Sequence, residues 1–223
     1  MMLPFPGAAT DTANATLIFS TAAALLYLFL LDTQPSLLRT IGKTLAVAFL
    51  AVLAIIQGGP VLLAAALGLS ALGDAFLSRE GDKAFLAGLG SFLAAHLVYI
   101  ALFWLSGGSF DILTAQPWRA GIAIAMAVFA LFMLARLLRV VAPDMRLPIV
   151  AYVAAIVAMG ITALTLDNVF VIAGAVLFIA SDAILAAEKF LMASLSPRRP
   201  ARIAVWVLYY AAQALITLGF LLA

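Results

Sequence analysis

The chain has 223 residues, of which 67% are hydrophobic and 10% charged, with no cysteine and a formal net charge of +2. Ordinary soluble domains carry about 25% charged residues, so this chain, with a mean hydropathy of +1.23, cannot hide its apolar surface from water and reads as an integral membrane protein. The missing cysteines exclude disulfides, thiolate metal sites and cysteine nucleophiles, and so small a charge, spread over short loops, gives nucleic acid no footing.

At this length residues 1–223 read as a single integral membrane domain, an all-α bundle of eight transmembrane helices. The first residues lack a basic n-region, so no cleaved signal peptide is expected and the first apolar run reads as a permanent helix. Apolar stretches of about 17–22 residues can each cross the hydrocarbon as a helix. In chain order they are predicted at 15–31, 37–56, 61–77, 84–105, 120–138, 148–166, 169–187 and 203–222. Pro4 and Pro6 lie in the N-terminal tail. Pro35, Pro60, Pro117, Pro143, Pro148, Pro197 and Pro200 fall between spans or in a first turn, where a missing N–H costs nothing. The thinnest division is between the sixth and seventh spans, where only Asp167 and Asn168 interrupt the apolar run.

Eight spans sort the basic residues sharply. Of twelve Lys and Arg, only Arg119 falls on one side and the other eleven share the opposite side. Positive loops mark the cytoplasm, so both termini are expected on the non-cytoplasmic side.

Two acids sit inside these spans in matching contexts, Gly73-Asp74-Ala75-Phe76-Leu77 and Ser181-Asp182-Ala183-Ile184-Leu185. A carboxylate in hydrocarbon is costly and persists only with a partner, water or a function. At about 1.5 Å per residue each lies roughly 5–8 Å from the cytoplasmic end of its helix. Lys43 enters the second span to a similar depth, and Tyr209, Tyr210 and Gln213 reach that layer from the last. His96 lies deeper in the fourth span, on one face with Phe85, Gly88, Phe92 and Tyr99.

Each residue also has a purely structural reading. The acids could hold helices together by a hydrogen bond or buried ion pair. Lys43 could snorkel to the headgroups, Tyr209 and Tyr210 could belong to an interfacial belt, and His96 could bond another helix. Gly88, Gly90 and Ser91 read as close-packing positions, and 79–83 as a solvated turn.

Two carboxyls in a low-dielectric site can hold different protonation states, which suits acid-catalysed cleavage of an ether-type C–O bond through an oxocarbenium-like cation. A serine hydrolase is poorly supported because no G-x-S-x-G elbow is present, although Ser181 beside Asp182 stays open. With one histidine in the chain, a zinc site could draw only on Asp74, Asp182 and His96. The alternative is a transporter or lipid-binding protein with the acids as a proton relay, which calls for helices broken near the midplane.

The segment Gly73-Asp74-x-Phe76-Leu77, then Phe85-x-x-Gly88-Leu89-x-x-Phe92-x-x-x-His96-x-x-Tyr99-Ile100, resembles the signature of the YhhN-like lysoplasmalogenases. The second half is similar too: Gly174-Ala175-x-x-Phe178-x-x-Ser181-Asp182-x-x-Leu185, Lys189-Phe190 and Tyr209-Tyr210-x-x-Gln213. One departure is Thr44 after Lys43, where much of the family has proline. The resemblance implies the same eight-helix layout and hydrolysis of the sn-1 vinyl-ether bond of lysoplasmalogens, giving a fatty aldehyde and a glycerophospho-ethanolamine or -choline. On that basis Asp74 and Asp182 are expected to divide the acid and base roles. Lys43 would tune them or contact phosphate, and His96 and Tyr99 would position water or substrate, with Ser181, Tyr209, Tyr210 and Gln213 in support. No cofactor or metal is expected, and the partners are the lysophospholipid substrate and membrane lipids.

Overall fold

A computed structural model of the chain describes residues 4–192 and 198–223; Pro197 lies outside them. The described residues form helices and loops only: α1 (Thr12–Leu30), α2 (Leu37–Ile56), α3 (Val61–Leu77), α4 (Asp82–Leu105), α5 (Asp111–Ala115), α6 (Pro117–Leu137), α7 (Pro143–Ala163), α8 (Val169–Ala186) and α9 (Arg199–Leu221). A π-helical turn, Ala187–Leu191, prolongs α8. Seven of these helices, counting α8 with its π turn, are long and apolar enough to cross a membrane, and α3 is a shorter apolar helix of 17 residues. Large apolar side chains such as Phe29 at 82% and Leu105 at 75% exposure cover the outside, as expected where lipid is the solvent. The protein is an integral membrane protein.

Local chemistry sets the boundaries. Ser36 caps α2 by accepting from the Arg39 N–H, and Asn168 caps α8 by accepting from the N–H groups of Phe170 and Val171. The Asp167–Asn168 break is therefore a real turn, widened to the residues between Ala163 and Val169. Pro117 and Pro143 occupy first-turn positions, so α6 and α7 begin earlier than predicted. That start puts Pro148 inside α7, contrary to the expectation of a first-turn proline. The carbonyl it leaves unpaired belongs to exposed Asp144, where water can reach it. The π turn likewise places Asp182 deeper than expected, roughly 13 Å from the end of its helix.

Close approach of backbones pairs the helices. A Cβ on Gly73 would lie 2.6 Å from the Phe92 ring, and one on Gly88 2.7 Å from the Leu77 side chain, so the two glycines let α3 and α4 approach closely. Gly174 does the same for α8 on α9, where a Cβ would meet Ile216 at 2.6 Å. Ser91 donates to the Leu69 carbonyl at 2.7 Å. Gly90 meets nothing within 4 Å, so the packing reading fails there. The turn at 79–83 is exposed throughout. Arg119 is 3% exposed and donates to the carbonyls of Leu164 and Leu166 and to Asp167, stapling α6 to the end of α7. Otherwise α6 is peripheral, burying only Met126 and Leu137 besides Arg119.

Candidate active site

Lys43 of α2, Asp74 of α3, Asp182 of α8 and Tyr209 of α9 line one space, whereas Tyr210 and Gln213 do not. Lys43 Nζ lies 3.1 Å from Asp74 Oδ1, and the Tyr209 hydroxyl donates to Asp74 Oδ2 at 2.6 Å. Asp74 is 1% exposed and so has a cation at one oxygen and a phenol at the other. The Tyr209 ring is fixed by edge-on contacts with Phe92 and Phe178, at centroid distances of 5.7 and 5.5 Å. Snorkelling for Lys43 and a belt role for Tyr209 are thereby replaced by a buried hydrogen-bonded cluster. Thr44 does not prevent Lys43 from reaching the acid.

Asp182 has a different partner. The hydroxyl of Tyr152, from α7, donates to Asp182 Oδ2. The sequence does not single out Tyr152, because hydropathy starts its span at 148 and leaves it near one end, whereas α7 begins at Pro143 and puts it at the middle of the helix. Ser181, next to Asp182, donates to the Val205 carbonyl at 2.9 Å and so links α8 to α9.

These side chains face one cavity of about 730 Å³, lined by Lys43, Asp74, Ser181, Asp182, Tyr152 and Tyr209 among others, a size typical of small-molecule sites. At its mouth Arg202 and Arg198 reach Glu188 at 3.3 and 3.2 Å, and Arg202 also reaches Asp32 at 3.3 Å. On the α6–α7 side the wall is apolar, with Phe129, Met133, Val153 and Val157. The space is amphiphilic: charged at one end, hydrocarbon-like along one side, with two acids between.

The other predicted residues lie off the cavity. His96 is fully buried, its ring 5.1 Å from that of Tyr152 and 5.0 Å from that of Phe178, so it backs the site through Tyr152. Neither of its ring nitrogens has a hydrogen-bond partner among the described residues. Tyr99 donates to Gln213 Oε1 at 2.5 Å in a buried α4–α9 bond. Tyr210 points away and shares hydrogen bonds with Ser20 at 2.9 Å and Thr21 at 3.1 Å. The zinc alternative needs Asp74, Asp182 and His96 on one ion; among the described residues, no three His, Cys, Asp or Glu side chains form such a group.

The chain is 35% identical over 205 residues to lysoplasmalogenase TMEM86B of Sus scrofa, an alignment covering 90% of this chain and 83% of that protein. It is 35% identical to lysoplasmalogenase TMEM86B of Homo sapiens over 173 residues, 78% of this chain and 69% of the human protein. A lysoplasmalogenase of Mycobacterium bovis is 36% identical over 162 residues, covering 70% of this chain and 58% of its own length. No solved structure matches. The profile of the YhhN family matches residues 36–220, nearly the whole helical bundle, and the chain belongs to that family.

Proposed function

We propose that this protein is a lysoplasmalogenase, hydrolysing the sn-1 vinyl-ether bond of lysoplasmalogens to a fatty aldehyde and a glycerophospho-ethanolamine or -choline. The observation that carries the reading is the pair of acids with unlike partners on one amphiphilic cavity. The family relationship and the relatives' activity support it.

The contacts favour a division of labour. Asp182, bonded to a neutral phenol, serves as the proton donor to the enol-ether carbon, and the cation forms at the carbon bearing oxygen. Asp74, held by Lys43 and Tyr209, serves as the carboxylate that faces the cation and accepts a proton from the attacking water. In the resulting hemiacetal, Asp182 takes back the hydroxyl proton while Asp74 returns its proton to the departing glycerol oxygen. The aldehyde leaves and both acids regain their starting states. Tyr152 orients Asp182, His96 packs behind Tyr152, and the buried Tyr99–Gln213 bond holds α4 to α9.

In this reading α3, though only 17 residues long, crosses the bilayer with the other seven helices, and both termini are non-cytoplasmic. A charged mouth on the cytoplasmic side then suits the phospholipid head. A proton-relay transporter is less well supported, because α2, α3, α7, α8 and α9, which carry the site, are continuous helices, with the one internal proline, Pro148, in the second turn of α7. Purified protein in liposomes with a lysoplasmalogen should release fatty aldehyde in proportion to enzyme. No release above a boiled control would overturn the proposal.

A further inference from the structure

We infer that the seam between α6 and α7 is a lateral window through which the alkyl chain of a single-chain lipid reaches the site from the bilayer core. The substrate class rests on the function proposed above; the window rests on packing. Along the inner face of α6, Met126 and Leu137 are buried at 7% and 3% exposure. They are eleven positions apart, roughly 16 Å along the helix. Met126 closes one end against α7, where a Cβ on Gly160 would lie 3.2 Å from its terminal methyl. Leu137 closes the other by packing with Val141 and Ile149.

Between these pins no residue of α6 is buried. Phe129 is 44% exposed, and Ala130 and Met133 are half-buried. Opposite them on α7, Val153 and Val157 are half-buried at a spacing of four, on one helix face. All five residues also line the cavity that holds Asp182 and Tyr152, so they have lipid on one side and the reaction space on the other. They offer only hydrocarbon and a thioether, with their backbone groups bonded within helices. Such an opening strips water from any polar group that enters, so its occupant is an alkyl chain. The polar head stays at the charged mouth, and a long tail extends through the seam into the bilayer instead of ending against a wall.

The cysteine-free chain allows a direct test. Ala130→Cys puts a single thiol in the window, and Ala125→Cys puts one on the exposed face of the same helix. Each variant is labelled in liposomes with benzyl methanethiosulfonate and compared with its own unlabelled form. Labelling at position 130 should slow aldehyde release about tenfold or more, as misplacement of a substrate does, with recovery on reduction, whereas labelling at 125 should change it less than twofold. A saturated lyso-alkyl phospholipid, which cannot be hydrolysed, should slow labelling at 130 and leave 125 unaffected. If full labelling at 130 leaves turnover unchanged, or the lyso-alkyl lipid protects neither position, the window is wrong. Protection at 130 by a protein that releases no aldehyde would support the window and reject the enzymatic reading.

Discussion

Lys43 and Asp74 form an ion pair at 3.1 Å in which the acid is 1% exposed. Asp182 has no cation within ion-pair distance among the described residues and takes a phenol instead. Two acids that look equivalent in the sequence thus sit in unlike electrostatic surroundings, and a two-carboxyl mechanism needs that asymmetry.

Removing the cation should expose the cost of the pair. Lys43→Met keeps most of the length of the side chain and deletes its charge. Breaking a buried pair costs about 3–5 kcal/mol, so the variant should unfold at lower temperature in detergent and lose most turnover. Adding Asp74→Asn should restore much of the stability without restoring turnover. If the double variant is no more stable than Lys43→Met alone, the pair is not the source of the loss.

Asp74→Asn and Asp182→Asn nearly preserve shape, so turnover in each should fall about 100-fold or more, at the low end of acid–base effects. Asp182→Asn should unfold as the parent does, whereas Asp74→Asn leaves Lys43 unpaired and should unfold at lower temperature. Tyr152→Phe removes one hydrogen bond to Asp182 and should lower kcat by about tenfold with KM little changed, corresponding to roughly 1.4 kcal/mol at the transition state. Its pH–rate profile should shift as well, which a merely structural tyrosine would not do. Normal turnover in either Asn variant would remove that acid from the mechanism.

The membrane class, the segments and the two acids were legible in the sequence because lipid imposes a long apolar period and makes each buried charge conspicuous. Boundaries shifted where capping chemistry prevailed over hydropathy, as at Pro143, which starts α7 and carries Pro148 inside it. The partner of Asp182 was not legible. Its identity depends on how α7 meets α8, and Tyr152 lies 30 residues from the acid it serves. Tyr209 and Tyr210 are neighbours with one chemistry, but they point to different sides of α9, so only the structure separates the site residue from the one bonded to α1.

Arg119 supplies a control on the fold. Its ion pair with Asp167 is worth little because that acid is 87% exposed. Its bonds to the Leu164 and Leu166 carbonyls are buried, and leaving such acceptors unpaired costs about 1–3 kcal/mol each. Arg119→Met should therefore lower the unfolding temperature, with kcat per folded molecule unchanged. A selective loss of kcat would instead connect the far end of α7 to the chemistry.

Topology is testable by reporter fusion. The basic segments at 79–83 and 198–202 should report cytoplasmic and both termini non-cytoplasmic. Opposite reports from the two segments would mean that one helix between them does not cross. A cytoplasmic C-terminus would reverse the orientation of the charged mouth.

Metal and pH dependence together distinguish the two-acid mechanism from the Asp/Asp/His alternative. A base works only after losing its proton, and an acid only while holding one. Turnover should therefore rise with pH as the base is freed, then fall as the acid is spent, giving a bell. Because the two carboxyls face one cavity, the limbs report the pair, and Asp74→Asn should abolish the rising limb in the activity that remains. Strong chelators should leave the whole profile unchanged, since His96 is enclosed by the rings of Tyr152 and Phe178 and does not line the cavity with the acids. Activity abolished by chelation and restored by a divalent ion would require His96 to turn toward Asp74 and Asp182 as a ligand, and the division of roles proposed for the acids would be wrong.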